Sequence, residues 1–139
     1  MKIDHIGIVV KSLEESIIHW QKVFGYKQNT KIVINTRQKV RVVFLNKENS
    51  LSVKLLEPVG PDSPVYRFAR KGGGLHHLCF RCAHLETEIN KMETMGLKIL
   101  TPPQPGEAFD GESIAFIYAK HGLNIELIDT DKRIKLISA

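Results

Sequence analysis

Cysteine is scarce in this 139-residue chain, which has only Cys79 and Cys82. They spell CxxC, but both fall on a run that reads as a strand, where residues three apart face opposite ways. They cannot share one metal, and no second CxxC completes a set, so the pair is read as neither a zinc nor a redox motif. Two buried thiols in a reduced, cytoplasmic protein is the better reading. No apolar run approaches the roughly 20 residues that a membrane span requires. The amino terminus, MKIDHIGIVV, leads straight into a strand pattern rather than a signal peptide. Nor does any basic stretch carry interleaved aromatics. The 20 Lys and Arg against 15 Asp and Glu, a net charge of +5, are dispersed. That describes a solvated mixed surface, with neither nucleic acid nor membrane as partner. What remains is an ordinary globular composition, 42% apolar and 25% charged, of a length that fits one domain.

The chain contains itself twice. Ile3-Asp4-His5-Ile6-Gly7-Ile8 recurs as Leu75-His76-His77-Leu78-Cys79-Phe80, and the run from Phe44 to Leu55 recurs from Phe116 to Leu127. Both copies lie 72 positions apart (77 − 5 and 116 − 44), which maps His5 onto His77 and Lys54 onto Glu126. The first half reads as a strand over 2–10 and a helix opened by the capping box Ser12-x-x-Glu15 and ended at Gly25. Strands over 28–35, 39–46 and 50–56 follow. The second half reads as a strand at 75–82, a helix near 84–95, and strands near 97–101, 113–119 and 123–128. Module one therefore covers 1–56, a linker 57–74, module two 75–128 and a tail 129–139, frayed or packed on the surface. In the linker, Ser63-Pro64 marks a short helix through Arg70, and Gly72-Gly73-Gly74 reads as a flexible join. That glycine run precedes a strand, whereas phosphate-binding loops follow one.

Two paired β-α-β-β-β modules, an α+β fold, place helices outside a curved sheet that forms a cup. Strand parity then sorts the side chains. Ile6, Ile8 and Val10 go under a helix, while His5 and Gly7 face the cup. Leu78 and Phe80 go under the second helix, and His77 and Cys79 face the cup. On the last strand Asn124 and Glu126 face the cup. Two neutral imidazoles and a carboxylate converging on one cavity suit a borderline divalent ion such as Zn, Ni, Co, Mn or Fe. His19, His84 and His121 read as ordinary hydrogen-bonded histidines.

At these residues the chain resembles the vicinal oxygen chelate superfamily, which includes glyoxalase I, methylmalonyl-CoA epimerase and bleomycin-resistance proteins. The opening DHIGIVVKSLEESI, the central LLEPVGPDSPVYRFARKGGGLHHLCF and the closing GESIAFIYAKHGLNIELID are most similar to the epimerase branch. The resemblance implies a metal-lined cup, often in a homodimer, with ligands at His5, His77 and Glu126. It also implies a fourth ligand, Glu or Gln, at the position held here by Lys54, and an acidic base at the position held here by Arg37. A protonated ammonium has no lone pair and arginine cannot abstract a carbon-bound proton at neutral pH. Two readings follow. In one, a three-ligand metal isomerase, epimerase or lyase acts on a small anionic thioester or thiol adduct. Glu126 is then both ligand and proton carrier, and Lys54 pairs with a substrate carboxylate or phosphate. In the other, Lys54 replaces the metal, and the cup binds small molecules without catalysis. Arg37, Gln38 and Cys79 are the remaining candidates for substrate contact, and Arg37, Lys39 and Arg41 could form an anion-binding rim.

Overall fold

The computed structural model describes residues 1–137, and its two halves follow the internal repeat closely. Strand β1 (Lys2–Val9) leads to helix α1 (Leu13–Phe24), then β2 (Lys27–Gln28), β3 (Val33–Asn35), β4 (Val40–Asn46) and β5 (Ser52–Pro58). Helix α2 (Tyr66–Arg70) lies in the linker. Then come β6 (Gly74–Arg81), α3 (Leu85–Thr94), β7 (Lys98–Pro105), β8 (Ser113–Tyr118) and β9 (Asn124–Ile128). The described strands form one sheet in the order β2-β4-β5-β1-β6-β9-β8-β7, with β3 paired to β4. The two modules meet where β1 and β6 pair antiparallel, and each of these strands is flanked by a parallel partner, β5 or β9.

Local chemistry repeats as well. Ser12 Oγ accepts from Glu15 N–H at the start of α1, and Gly25 ends that helix in the left-handed region at φ 72°. The Glu57 carboxylate accepts the Leu13 N–H at 2.7 Å, and the Asp129 carboxylate accepts the Leu85 N–H at 2.9 Å. These two contacts are again 72 positions apart. A carboxylate at or just past the end of each module's last strand thus satisfies an otherwise orphan donor at its helix's N-terminus.

The apolar faces divide as parity requires. Ile6, Ile8 and Val10 pack with Leu13 and Ile17 under α1, and Leu78, Phe80, Ile125 and Leu127 pack with Leu85 and Ile89 under α3. A third cluster fills the cup with Val9, Val42, Phe44, Leu56, Cys79, Phe109 and Phe116. Cys79 and Cys82 are both buried and belong to different clusters, one on each side of the sheet.

Four expectations need correction, and a fifth, for the tail, is decided between its two alternatives. The strand over 28–35 is two short ones, because Asn29 and Thr30 N–H groups both turn onto the Phe44 carbonyl. Strand β7 runs on to Pro105 through three prolines, which an edge position tolerates. Helix α2 begins at Tyr66 rather than Pro64, after a turn in which Tyr66 N–H meets the Ser63 carbonyl at 3.1 Å. The glycine join is not loose. Gly73 has φ 72°, and any Cβ there would collide with the Val9 carbonyl oxygen. Finally, the tail is packed rather than frayed over its described part. Lys31 N–H donates to Lys135 O at 2.8 Å, Ile137 N–H to Asn29 O at 2.9 Å, and Ile134 N–H to Ala108 O at 3.2 Å. Positions 138 and 139 of that tail lie outside the described residues.

Candidate metal centre

In a regular strand, neighbouring side chains point to opposite faces, and a bulge overrides that rule. The pairing of β1 with β6 shifts register twice, between Ile3 and His5 and between Gly7 and Ile8. The residues left unpaired are Asp4 on β1 and His76 on β6, again 72 positions apart. Each bulge brings a side chain beside that of the following histidine. Asp4 Oδ2 lies 2.8 Å from His5 Nδ1, and His76 Nδ1 lies 2.8 Å from His77 Nδ1. The other edge of each imidazole meets at the module junction. His5 Nε2 is 3.1 Å from Glu126 Oε1, His77 Nε2 is 3.2 Å from the same oxygen, and the two nitrogens are 3.4 Å apart. His5, His77 and Glu126 have no exposed surface at all.

Gly7 makes this convergence possible. It stands opposite His77 in the ladder, and the His77 ring lies where a side chain at position 7 would be. The junction therefore needs a residue with no side chain at that point.

Protons alone cannot make all three contacts attractive. A proton on one nitrogen serves one neighbour, and protons on both put two donors face to face at 3.4 Å. A cation accepts all three lone pairs. Donors about 2.0–2.1 Å from a central ion, at angles of about 90–109°, stand about 2.8–3.4 Å from one another. The observed spacings of 3.1 to 3.4 Å fit that sphere. Glu126 Oε2 is the buried side-chain polar atom left without a hydrogen-bond partner among the described residues.

Lys54, 2% exposed, is the fourth member of the cluster, its Nζ 4.0 Å from Glu126 Oε2. The ammonium sits 5.6 and 5.3 Å from the ring centroids of Phe44 and Phe109. Burial works to raise the Glu126 pKa. The Lys54 charge and the contacts with His5 and His77 outweigh it and hold the carboxyl well below its usual range. Burial lowers His77 to about 4 against an ordinary 6.5, so its imidazole is neutral and ready to ligate at pH 7.

A pH dependence of stability follows. His77 stays neutral in the folded metal-free chain down to about pH 4, whereas the unfolded chain takes up a proton below about 6.5. Stability is full above 6.5 and declines as pH falls from 6.5 towards 4, by roughly 3 kcal/mol from this group. Urea unfolding of chelator-treated protein between pH 7 and 4 should show that slope, and His77→Gln should flatten it. A wild-type profile level across the window would contradict the assignment.

A cavity of about 200 Å³ lies over the cup, lined among others by Gln38, Val40, Leu56, His76, Thr101 and Phe116. A larger groove of about 450 Å³ between α3 and β7 contains none of these groups and is remote from the chemistry. Of the other sequence candidates, Gln38 lines the cup cavity, Cys79 is fully buried in the cup, and Arg37 is exposed in the turn before β4. Burial and the nearby Glu126 charge push the Cys79 thiol far above its ordinary pKa. The anion-binding rim is not formed. Lys39 pairs with Asp62 at 2.7 Å, and Arg41 faces outward onto Glu14 and Glu57. His19, His84 and His121 are exposed and apart from the cup. Asp4, His76 and Phe109 were missed. The 72-residue offset could have paired Asp4 with His76, but the bulges that turn them inward leave no mark on parity.

Comparison with known proteins points in one direction. The family model described as Glyoxalase/Bleomycin resistance protein/Dioxygenase superfamily matches residues 4–116. The uncharacterized protein YqjC of Bacillus subtilis (strain 168) is 31% identical over 131 residues, 92% of this chain and 91% of that one. The mitochondrial methylmalonyl-CoA epimerase of Dictyostelium discoideum is 28% identical over 130 residues, 91% of this chain and 76% of that one. Among solved structures, a variant of Streptomyces coelicolor methylmalonyl-CoA epimerase in complex with 2-nitronate-propionyl-CoA superposes with a TM-score of 0.83 at 28% identity. That match covers 94% of this chain and 98% of the other.

Proposed function

The chain belongs to the glyoxalase/bleomycin resistance protein/dioxygenase superfamily, and from that premise we propose that it is a metal-dependent isomerase of the epimerase type. It would act on a small anionic acyl thioester at the carbon beside the carbonyl. The observation that carries this reading is the buried trio of His5 Nε2, His77 Nε2 and Glu126 Oε1 at 3.1 to 3.4 Å. These residues would hold the ion. A divalent metal bound there would supply the Lewis acidity that stabilises an enolate oxygen.

The remaining roles fall to the chain itself. Glu126 keeps Oε2 free of hydrogen bonds and so has a lone pair with which to take up the carbon-bound proton. Lys54 keeps that carboxylate ionised and is the cation nearest to it for a substrate carboxylate. Phe44 and Phe109 flank His5 and Lys54 and keep water away. Arg37, exposed in its turn, supplies no base, so proton transfer rests on Glu126 rather than on two opposed acids.

One observation favours a second reading, a non-catalytic binding cup. A cation is already present beside Glu126, at 4.0 Å. Metal analysis of untagged protein, followed by solvent-deuterium exchange into methylmalonyl-CoA, separates the two. We expect about one ion per chain and exchange that stops on chelation, and His77→Ala should lose both. Exchange that survives without metal would overturn the proposal. Thioester binding without exchange, unaffected by chelator, would establish the passive cup instead.

A further inference from the structure

The chain beyond β9 returns to the site. After Asp129 it crosses to module one, where the bridge between Thr30 and Leu136 fastens it to the segment between β2 and β3. Ile134 packs against the cluster inside the cup. Just before these anchors, the Arg133 guanidinium is held at three points. Its Nη2 donates to Asp4 Oδ2 at 2.7 Å, its Nη1 lies 3.4 Å from Asn29 Oδ1, and its Cζ stands 4.0 Å from the Phe44 ring centroid. The Asp4 oxygen that accepts from Arg133 is the one facing His5 Nδ1 at 2.8 Å. Both charged side chains are largely sequestered, Arg133 at 12% and Asp4 at 9% exposure.

We infer that Arg133 is a positioning residue for the metal centre, acting through Asp4 on His5. The inference rests on the reading of His5 as a ligand. A carboxylate on Nδ1 fixes the tautomer of an imidazole whose Nε2 must keep its lone pair, and it holds the ring plane. Asp4 can do this only while it is itself held in place. Arg133 holds it: Nη2 donates to the oxygen that faces His5, and stacking on Phe44 fixes the direction from which it donates. The two modules are unequal here, since the repeat-related bulge puts neutral His76, not an acid, against His77. Among the described residues, of the two histidines only the first has an acid on its Nδ1, and that acid is held by a segment outside both repeats.

Cobalt titration of the chelator-treated full chain tests this, with Arg133→Ala, Arg133→Lys, Asp4→Asn and the double variant Asp4→Asn/Arg133→Ala. Arg133→Ala should weaken cobalt binding about 10- to 100-fold, the usual effect of losing an outer-shell partner. Arg133→Lys should recover part of that loss. In the Asp4→Asn background, Arg133→Ala should add little, because the path through Asp4 is already cut. A strap that merely stabilises the fold would instead weaken binding equally in both backgrounds, which would overturn the inference. Proton–nitrogen spectra of the metal-free chain provide an arm that needs no metal. The His5 Nδ1–H should exchange slowly in the wild type and rapidly in Arg133→Ala. Slow exchange in both would also overturn the inference. If the wild type bound no cobalt, the proposed function would fail, and the spectra would still decide whether Arg133 positions His5.

Discussion

Gly7→Ala is expected to destroy metal binding while leaving every proposed ligand residue of the site in the sequence. The added Cβ would fall among the His77 ring atoms, with Nε2, the farthest of the three nearest, only 2.5 Å away. The ring has nowhere to go. Its Nδ1 edge meets His76, its flank meets Phe116 edge-on at 5.7 Å, and its Nε2 edge faces His5 and Glu126. Forcing a methyl group into such a site typically costs 1–3 kcal/mol, occasionally more. Either β1 and β6 move apart at the module junction or His77 leaves the centre. We expect a loss of at least ~100-fold in cobalt affinity, since a ligand is displaced rather than a supporting group, and a fall of about 2–3 kcal/mol in urea-derived stability. Ile8→Val is the control, because Ile8 packs on the opposite face under α1. It should cost about 1 kcal/mol and leave cobalt affinity unchanged. Wild-type affinity in Gly7→Ala would show that His77 does not need its present place.

The second large effect should reverse sign with metal. Lys54→Met removes the cation that keeps buried Glu126 ionised. Without metal the carboxylate is left with no charge partner, and breaking a buried pair from one side typically costs 3–5 kcal/mol. With metal present, the ion neutralises Glu126 itself, so the loss should largely disappear. Tighter binding is the necessary counterpart, because a ligand that relieves an unpaired charge gains what the free protein lacked. We therefore expect Lys54→Met to unfold readily in chelator and to bind cobalt at least ~10-fold more tightly than the wild type. Lys54→Gln should bind more tightly still, since its amide oxygen brings a lone pair to the same place. Weaker cobalt binding in Lys54→Met would mean that the amine itself ligates, in its neutral form.

Much of this architecture is legible in the sequence because a two-residue period and a fixed offset survive translation into structure. The offset of 72 aligns β1 with β6, α1 with α3 and β5 with β9; parity brings His5, His77 and Glu126 to one face, and the offset adds Lys54. What the sequence conceals is every departure from period two. The bulges at Asp4 and His76 turn inward two side chains that parity sends outward, and so hide the groups behind both histidines. The Arg41 side chain illustrates the opposite error. A row of cations looks like a rim for anions until Glu14 and Glu57, distant in sequence, are seen to occupy it. The glycine run misleads for a third reason. Glycine marks both slack and crowding, and at Gly73 the Val9 carbonyl makes it crowding.

The tail's return to module one also sets the order in which the cup can be completed during translation. Asp4 and Arg133 are 129 positions apart. At roughly 5–20 residues per second, a ribosome needs about 6–26 s to reach the second after making the first. For that interval the nascent chain carries His5 with Asp4 unbraced; His77 follows His5 only after 72 residues, and Glu126 precedes Arg133 by only 7. A metal ion met early would find one imidazole on a half-built sheet. On the proposed metal centre, selective loading would belong to the finished molecule, after the arginine has closed over the first strand.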